Sequence, residues 1–318
     1  MTTQLPQVIH TYQNHALDST RWQHYQPRAD DIIIATSYKS GTTWMQEIVR
    51  QLIFCGQDVQ ERDDIGLLQL SPWFERRKLP LDTLLTEFEA QNHRRFIKTH
   101  LALDGLPYFP QVSYIVVGRD ARDVAMSLWN HYSGNKDENF VVSTNPSVRE
   151  EDHMPPPPRD IHIFWQMWIS HGVFAWEREG FPYWGNLHHS QTWWNYRHLP
   201  NILFVHYSDL KRDLTGEIRR IADFLAIPLA DEWLPAILEA VSLDAMRLRS
   251  ERLDSAVMGG FKEGAKTFFF KGTNGRWKDV LTAEELALYE QKATEVLTPD
   301  CRAWLEQGRA ALIRSRYP

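Results

Sequence analysis

The sequence predicts an α/β fold: a single domain with a central parallel sheet flanked by helices and a P-loop-like phosphate-binding loop. Three observations carry this. Short β-branched runs alternate with stretches of helical periodicity, the pattern of a sheet covered on both faces. The first run passes through a polar, hydroxyl-rich turn into a helix, the opening half of a βαβ unit. No linker-like composition or internal repeat divides the 318 residues, so residues 31–318 read as one domain and residues 1–30 as an N-terminal segment packed on it.

Taken in order, Asp30-Asp31 leads into Ile32-Ile33-Ile34-Ala35, a short apolar run bounded by turn formers and hence a buried parallel strand. Residues 36–43 are polar and turn-like. Residues 44–55 show helical spacing at Met45, Ile48, Val49 and Leu52, with Gly56 as the stop. Further strands are expected over 95–99, 114–117 and 202–206, and helices over 121–131 and 216–225. Residues 135–160, with extended Pro155 to Pro158, and 251–275, rich in Gly, Lys and Phe, read as long surface loops.

Composition narrows the function. The chain is 43% hydrophobic and 24% charged, ordinary for a globular domain. No segment approaches the roughly 20 apolar residues of a spanning helix, and the polar start lacks a signal peptide's apolar stretch. Two cysteines, Cys55 and Cys301, cannot form a disulfide framework, which points to the cytoplasm. A net charge of −6 argues against nucleic-acid binding, so any phosphate site must be local. Of the thirteen tryptophans, most must be core, leaving some to line an apolar pocket.

Three segments carry chemistry. Ser37-Tyr38-Lys39-Ser40-Gly41-Thr42-Thr43-Trp44 sits between the first strand and its helix. Helix N-terminal N–H groups, small residues, hydroxyls and a lysine together make an anion cradle. It is not a Walker A loop, because the lysine precedes the glycine; a plain Ser/Thr-rich helix cap is the alternative. In the second segment Arg119 follows a strand and Ser127 lies eight residues later, slightly over two helical turns. A guanidinium fork suits a phosphate, while an ion pair with Asp120 or Asp123 would explain Arg119 equally well. The third, Lys98-Thr99-His100, stands at a strand's end, where parallel sheets bind ligands. Lys98 and His100, two residues apart on extended chain, point the same way. An imidazole is suited to take a proton near neutral pH, although most of thirteen histidines must be structural.

Lys39 to Trp44 resembles the 5′-phosphosulfate loop of the cytosolic-type sulfotransferases, in a bacterial-like member, with Tyr38 where that family has proline. These enzymes use 3′-phosphoadenosine-5′-phosphosulfate (PAPS). The resemblance runs from about Asp31 to Leu286 and implies the following roles. Lys39, Ser40, Gly41, Thr42, Thr43 and Trp44 hold the donor's 5′ side, with Trp44 stacking on adenine. Arg119 and Ser127 hold its 3′-phosphate. His100 is the general base, and Lys98 and Lys39 stabilise charge on the leaving group. Trp193-Trp194 matches a paired tryptophan of the family, and Tyr207 contacts adenine. Ser242, Leu243 and Met246 close over adenine, with Leu243 replacing a phenylalanine. Lys271 and Gly272 reach the 3′-phosphate, with Phe270 replacing an arginine. Trp73 and Phe74, in Ser71-Pro-Trp-Phe-Glu75, line the acceptor pocket.

The implied reaction is in-line sulfuryl transfer from PAPS to a hydroxyl or amine of a small aromatic or apolar molecule, leaving adenosine 3′,5′-bisphosphate (PAP). The alternative, a P-loop-type small-molecule kinase, is disfavoured by the missing Walker pattern and the lack of a clear Mg²⁺ carboxylate site. No metal is expected, since no His/Cys/Asp cluster has convincing ligand spacing, and His188-His189 reads as ordinary surface or core. The expected partners are a small-molecule acceptor and no nucleic acid or membrane. The family's dimerisation signature survives only in part, at Thr282, which leaves monomer or homodimer.

Overall fold

The computed structural model describes residues 4–55, 65–136 and 155–314. Gly56, the expected helix stop, and residues 137–154 of the expected 135–160 loop lie outside the described residues.

Four strands form the sheet: β1 (Ile32–Thr36), β2 (Phe96–Thr99), β3 (Ser113–Gly118) and β4 (Ile202–His206). All pair parallel, in the order β2-β1-β3-β4. Each falls within a residue or two of its predicted span. Every residue of β1 is buried, as expected of a strand covered on both faces. Alternation divides the core in two. Ile32 and Ile34 pack with Met45, Ile48, Val49 and Leu52, while Ile33 and Ala35 pack with Trp22, Tyr114 and Trp193 on the other face.

The helices used below are α1 (Thr42–Ile53), α2 (Ala121–Ser133), α3 (Ile161–Ser170), α4 (Asn186–Trp194), α5 (Leu214–Phe224), α6 (Leu243–Leu253), α7 (Ala283–Val296) and α8 (Pro299–Gln307). Their starts follow local capping. The N-cap of α1 is Gly41 at φ 109°, so the helix begins two residues before the apolar periodicity and takes Thr42 and Thr43 into its first turn. Asp120 caps α2 by accepting from the Arg122 amide, and Asp213 caps α5 by accepting from that of Gly216. Thr282 and Glu285 close a capping box on α7.

The expected 251–275 loop is more ordered than its composition suggests. It contains the end of α6 and short helices at Ser255–Met258 and Ala265–Phe268. The reason is burial: Met258, Ala265 and Phe269 pack with Met246 in a satellite core. Before β1, the aromatic residues Tyr12, Trp22 and Tyr25 are buried in the core beside the sheet. Asp31 ties that segment down, accepting from Tyr25 Oη at 2.6 Å and Arg95 Nε at 2.8 Å.

The register brings all four carboxyl ends to one edge. Ala35 pairs with Thr99 and Val116, and Gly118 pairs with His206. Gly118 is a close approach in this edge, because a Cβ there would stand 2.2 Å from the Trp304 ring. Trp304 on α8 is stacked on Trp194 of α4 at 5.0 Å and is itself buried. Gly118→Ala is therefore expected to cost about 1–3 kcal/mol, the scale of overpacking a filled core. It should appear as a lower urea midpoint at an unchanged slope; an unaltered midpoint would mean that Trp304 has room to move.

Candidate active site

The carboxyl edge carries the chemistry-bearing residues, one group after each strand. After β1 the chain turns sharply: Lys39 sits at φ 61° and Gly41 at φ 109°. A left-handed lysine costs about 1–3 kcal/mol and persists only where its surroundings fix it. Here Arg119 Nη1 donates to the Lys39 carbonyl at 3.1 Å, and the hydroxyls of Ser37 and Ser40 are 2.7 Å apart. A Cβ on Gly41 would lie 2.9 Å from the Tyr207 ring, so the turn needs glycine for space as well as for φ. The result presents the N-terminus of α1 to the edge with Lys39, Ser40, Thr42 and Thr43 around it.

The Lys39 ammonium has no carboxylate among the described residues. Its Nζ lies 3.2 Å from His131 Nδ1 and 4.9 Å from the Phe268 ring centroid. Burial, with Arg119 and Lys98 nearby, pulls its pKa down from 10.5 to about 7. Lys98 is similarly held at about 8, by burial and then by the Arg76 guanidinium.

His100, just past β2, is oriented unambiguously. Its Nδ1 is 2.8 Å from the Thr36 carbonyl, which can only accept, so Nδ1 carries the proton and Nε2 the lone pair. Tyr38 stacks on the ring at 4.4 Å, Trp73 meets it edge-on at 5.0 Å, and Trp184 Nε1 donates to the His100 carbonyl at 2.9 Å. Glu75 holds the backbone: one carboxylate oxygen accepts from the His100 amide at 2.8 Å and Thr99 Oγ1 at 2.9 Å, and the other from Trp22 Nε1 at 3.1 Å. The sequence argument placed the imidazole's pKa near neutrality. The structure instead holds it well below the ordinary value, because burial and Lys98 both disfavour the imidazolium.

Arg119 follows β3 and is 5% exposed. Neither aspartate suggested by the sequence pairs with it: Asp120 binds Arg122 at 2.7 Å, and Asp123 accepts from the Gly275 amide at 2.7 Å. Arg119 donates instead to neutral oxygens, the Lys39 carbonyl, the Thr273 carbonyl at 2.9 Å and Asn274 Oδ1 at 3.1 Å, and lies over the Tyr207 ring at 4.3 Å. A buried guanidinium without a carboxylate is costly unless an anion visits. Ser127 lies on α2 one turn before His131, sharing its face.

After β4, Tyr207 opens a short helix; its hydroxyl donates to the Gly272 carbonyl at 3.2 Å, and Trp44 meets its ring edge-on at 5.4 Å. Gly272 is at φ 60°, with Lys271 and Arg276 both over the ring of half-exposed Phe270, at 5.4 and 4.9 Å. The indole N–H of Trp44 is buried and has no hydrogen-bond partner among the described residues. Leu243 and Trp44 pack on the satellite core that contains Met246. The Ser242 hydroxyl is committed to capping α6, where it accepts from the Ala245 amide at 3.2 Å.

Not every expected residue gathers here. Phe74 is fully buried against Trp22 at 4.8 Å and Phe88 at 6.0 Å. It belongs to the core: Trp73 bridges to Lys98 beside β2, and the chain then turns, with the Arg76 amide donating to the Trp73 carbonyl at 3.2 Å, which leaves Phe74 among the buried aromatics while Trp73 meets His100. Of the tryptophan pair, Trp193 Nε1 donates to the Leu101 carbonyl at 3.1 Å and Trp194 is core. His188 is paired with Asp104 at 2.8 Å, away from the site. Sequence reasoning missed Glu75, His131, Trp184 and the stacking of Tyr38 on His100. A tyrosine in the position of a rigid loop proline was the available signal for Tyr38; the others meet the site only through tertiary packing.

Residues 29–298 match the family described as the sulfotransferase domain. A glycolipid sulfotransferase of Mycobacterium bovis is 33% identical over 94% of each chain. The rat sulfotransferase 1A1 is 26% identical over 88% of each chain. Among solved structures, a mouse sulfotransferase complexed with PAP has the same fold, with a TM-score of 0.66 at 20% identity, covering 92% of this chain and 94% of its own. A retinol dehydratase complexed with androsterone and PAP follows at a TM-score of 0.65 and 23% identity, covering 88% and 84%.

The depressed Lys39 pKa makes a stability prediction with a definite sign. Between about 7 and 10.5 the unfolded chain holds the proton that the folded chain has lost, so the burden of the buried ammonium is complete below pH 7 and gone above 10.5. Lys39→Met should stabilise the ligand-free protein at pH 6.5, with the difference from wild type shrinking steadily by pH 10. Urea unfolding of both proteins at several pH values reads this directly. A difference that is constant with pH would mean that Lys39 is not desolvated in the folded protein.

Proposed function

The chain belongs to the sulfotransferase family, and from that premise we propose that it transfers a sulfuryl group from PAPS to a hydroxyl or amine of a small aromatic or apolar acceptor. The observation that carries this reading is the convergence of half-buried Lys39 and buried Arg119, neither with a carboxylate among the described residues, at the mouth of α1. Relatives of the same fold, solved with PAP, support the choice of donor.

In this reading Lys39, Ser40, Gly41, Thr42 and Thr43 hold the donor's 5′ side, with the α1 amides facing its negative charge. Arg119, Ser127, Lys271 and Gly272 take the 3′-phosphate. Arg276 lies over the Phe270 ring at 4.9 Å, in the same turn whose Thr273 and Asn274 oxygens accept from Arg119. Arg276 thus stands in for the arginine that Phe270 replaces. Trp44 and Tyr207 flank adenine, with Leu243 and Met246 behind Trp44. Ser242 acts there only through the cap it gives to α6.

The transfer step then follows from the placement of charge. His100 Nε2 takes the proton from the acceptor as its oxygen or nitrogen attacks sulfur. The bond from sulfur to the bridging oxygen breaks, and PAP leaves with its electron pair. Lys39 and Lys98 stabilise the charge gathering on that oxygen. The low basicity of His100 in the ligand-free protein is consistent with this order of events: a bound polyanion offsets the charges of Lys98 and Lys39 and makes an imidazolium less costly. Trp73, Tyr38 and Trp184 supply an aromatic wall around His100 for the acceptor. The similarity to glycolipid sulfotransferases favours a second acceptor reading, a sugar or alcohol hydroxyl on a lipid. Mass spectrometry of phenol, alcohol, amine and glycolipid panels incubated with PAPS distinguishes these readings; no sulfated product from any panel would count against the reaction itself.

Two substitutions test the roles. His100→Ala should lower kcat at least on the order of a hundredfold while leaving PAP affinity nearly intact, since its contribution is made in the transition state; near-normal turnover would remove His100 from the mechanism. Arg119→Ala should cost about 1.5–3 kcal/mol of PAP affinity and distinctly less for AMP, which lacks the 3′-phosphate and would feel only the loosening of the Lys39 turn. Calorimetry with both nucleotides checks this, and equal losses would make Arg119 a structural residue.

A further inference from the structure

One cation near His100 stands outside the set assigned above to the donor. The Arg76 guanidinium lies over the Trp73 ring, 5.4 Å from its centroid, and Lys98 Nζ is 5.3 Å from the same ring. Trp73 in turn meets His100 edge-on at 5.0 Å. Arg76 is therefore on the acceptor wall, whereas the donor cations Lys39, Arg119 and Lys271 follow β1, β3 and the 270–276 turn.

Arg76 makes no ion pair among the described residues. The nearest carboxylate in sequence, Glu75, is fully occupied by Thr99, the His100 amide and Trp22. Arg76 lies close to Lys98, which burial and then the Arg76 charge hold at about 8 against the opposing pull of Glu75 and Asp254. Two neighbouring cations beside one aromatic ring repel each other, and an anion between or beside them would relieve that repulsion. The basic run continues outward. Arg77 and Lys78 are exposed, Arg77 reaches Asp18 only at 4.0 Å, and Lys78 has no ion pair among the described residues. In a chain of net charge −6, this is a local positive approach to the acceptor side.

Resting on the sulfuryl-transfer reading, we propose that the acceptor is an anionic amphiphile: an apolar body against Trp73 and Tyr38, bearing a carboxylate, phosphate or sulfate that Arg76 binds. A guanidinium held beside an indole by cation–π attraction can still offer its N–H fork to such a group. Arg77 and Lys78 attract the acceptor at long range without contacting it.

The test compares two phenols of one shape, 4-hydroxyphenylacetate and 4-hydroxyphenylacetamide, as ligands of the PAP complex and as acceptors with labelled PAPS. The carboxylate should bind about 10- to 100-fold more tightly than the amide, the range of charge-assisted hydrogen bonding. The preference should shrink as salt screens the charges and collapse in Arg76→Gln. Both ligands meet the same Lys98 and His100, so their ratio cancels any effect of the substitution on turnover. Lys78→Gln, at a fully surface position, should reduce only the association rate of the carboxylate. Equal binding of the two phenols, binding of neither, or a preference that survives Arg76→Gln would overturn the inference. A clear preference with no label transferred would instead overturn the sulfuryl-transfer reading and leave the anion site standing.

Discussion

The parallel register of four strands is the constraint on which the site depends. Because β1, β2, β3 and β4 all run the same way and end nearly level, the residues that follow them are forced together. Lys39, His100, Arg119 and Tyr207 are far apart in sequence and share one edge only for this reason. A register slip in β2 would turn Lys98 and His100 to the opposite face. Glu75 opposes such a slip by holding the Thr99 hydroxyl and the His100 amide at the end of β2.

What the register assembles is electrostatically unfavourable in the empty protein. Lys39 and Lys98 are held below their ordinary pKa, and His100 well below its own, because burial acts on all three and their charges repel. Arg119 is buried against carbonyls, not carboxylates. The fold stabilises this arrangement from outside. Glu75 fixes the backbone at Thr99 and His100, Thr36 fixes the imidazole, and the Arg119 fork ties the β1 turn to the 273–274 segment. Rigid donors and a surplus of positive charge are what a polyanionic ligand requires, so stability is given up where binding gains it.

The strands were readable because each is a short β-branched run between turn formers, and a buried parallel strand needs little else. Helix starts were less readable. The helical spacing of α1 is read from residue 44, but the helix begins at Thr42, because a left-handed Gly41 caps it without leaving an apolar mark. The 251–275 stretch looked like loop by composition and nevertheless carries short helices, since Met258, Ala265 and Phe269 find a shared core that composition does not reveal. Phe74 looked like pocket by its neighbour Trp73, yet the turn that follows Trp73 carries Phe74 into the buried aromatic core and leaves Trp73 of the two beside His100.

By itself the sequence determined the α/β class, the order of the strands along the chain and the residues that would follow each of them, because hydrophobic periodicity and turn chemistry are local properties. Only the tertiary structure decided what those residues became. It paired Asp120 with Arg122 and left Arg119 for other oxygens, turned Nε2 of His100 outward by giving Nδ1 to Thr36, and laid Tyr38 on the imidazole. It also stranded Arg76 on an aromatic wall with its neighbouring carboxylate already occupied. Charge partners, tautomers and pKa values depend on distances between segments remote in sequence and on how much water packing excludes, and neither quantity is written in any one stretch of chain.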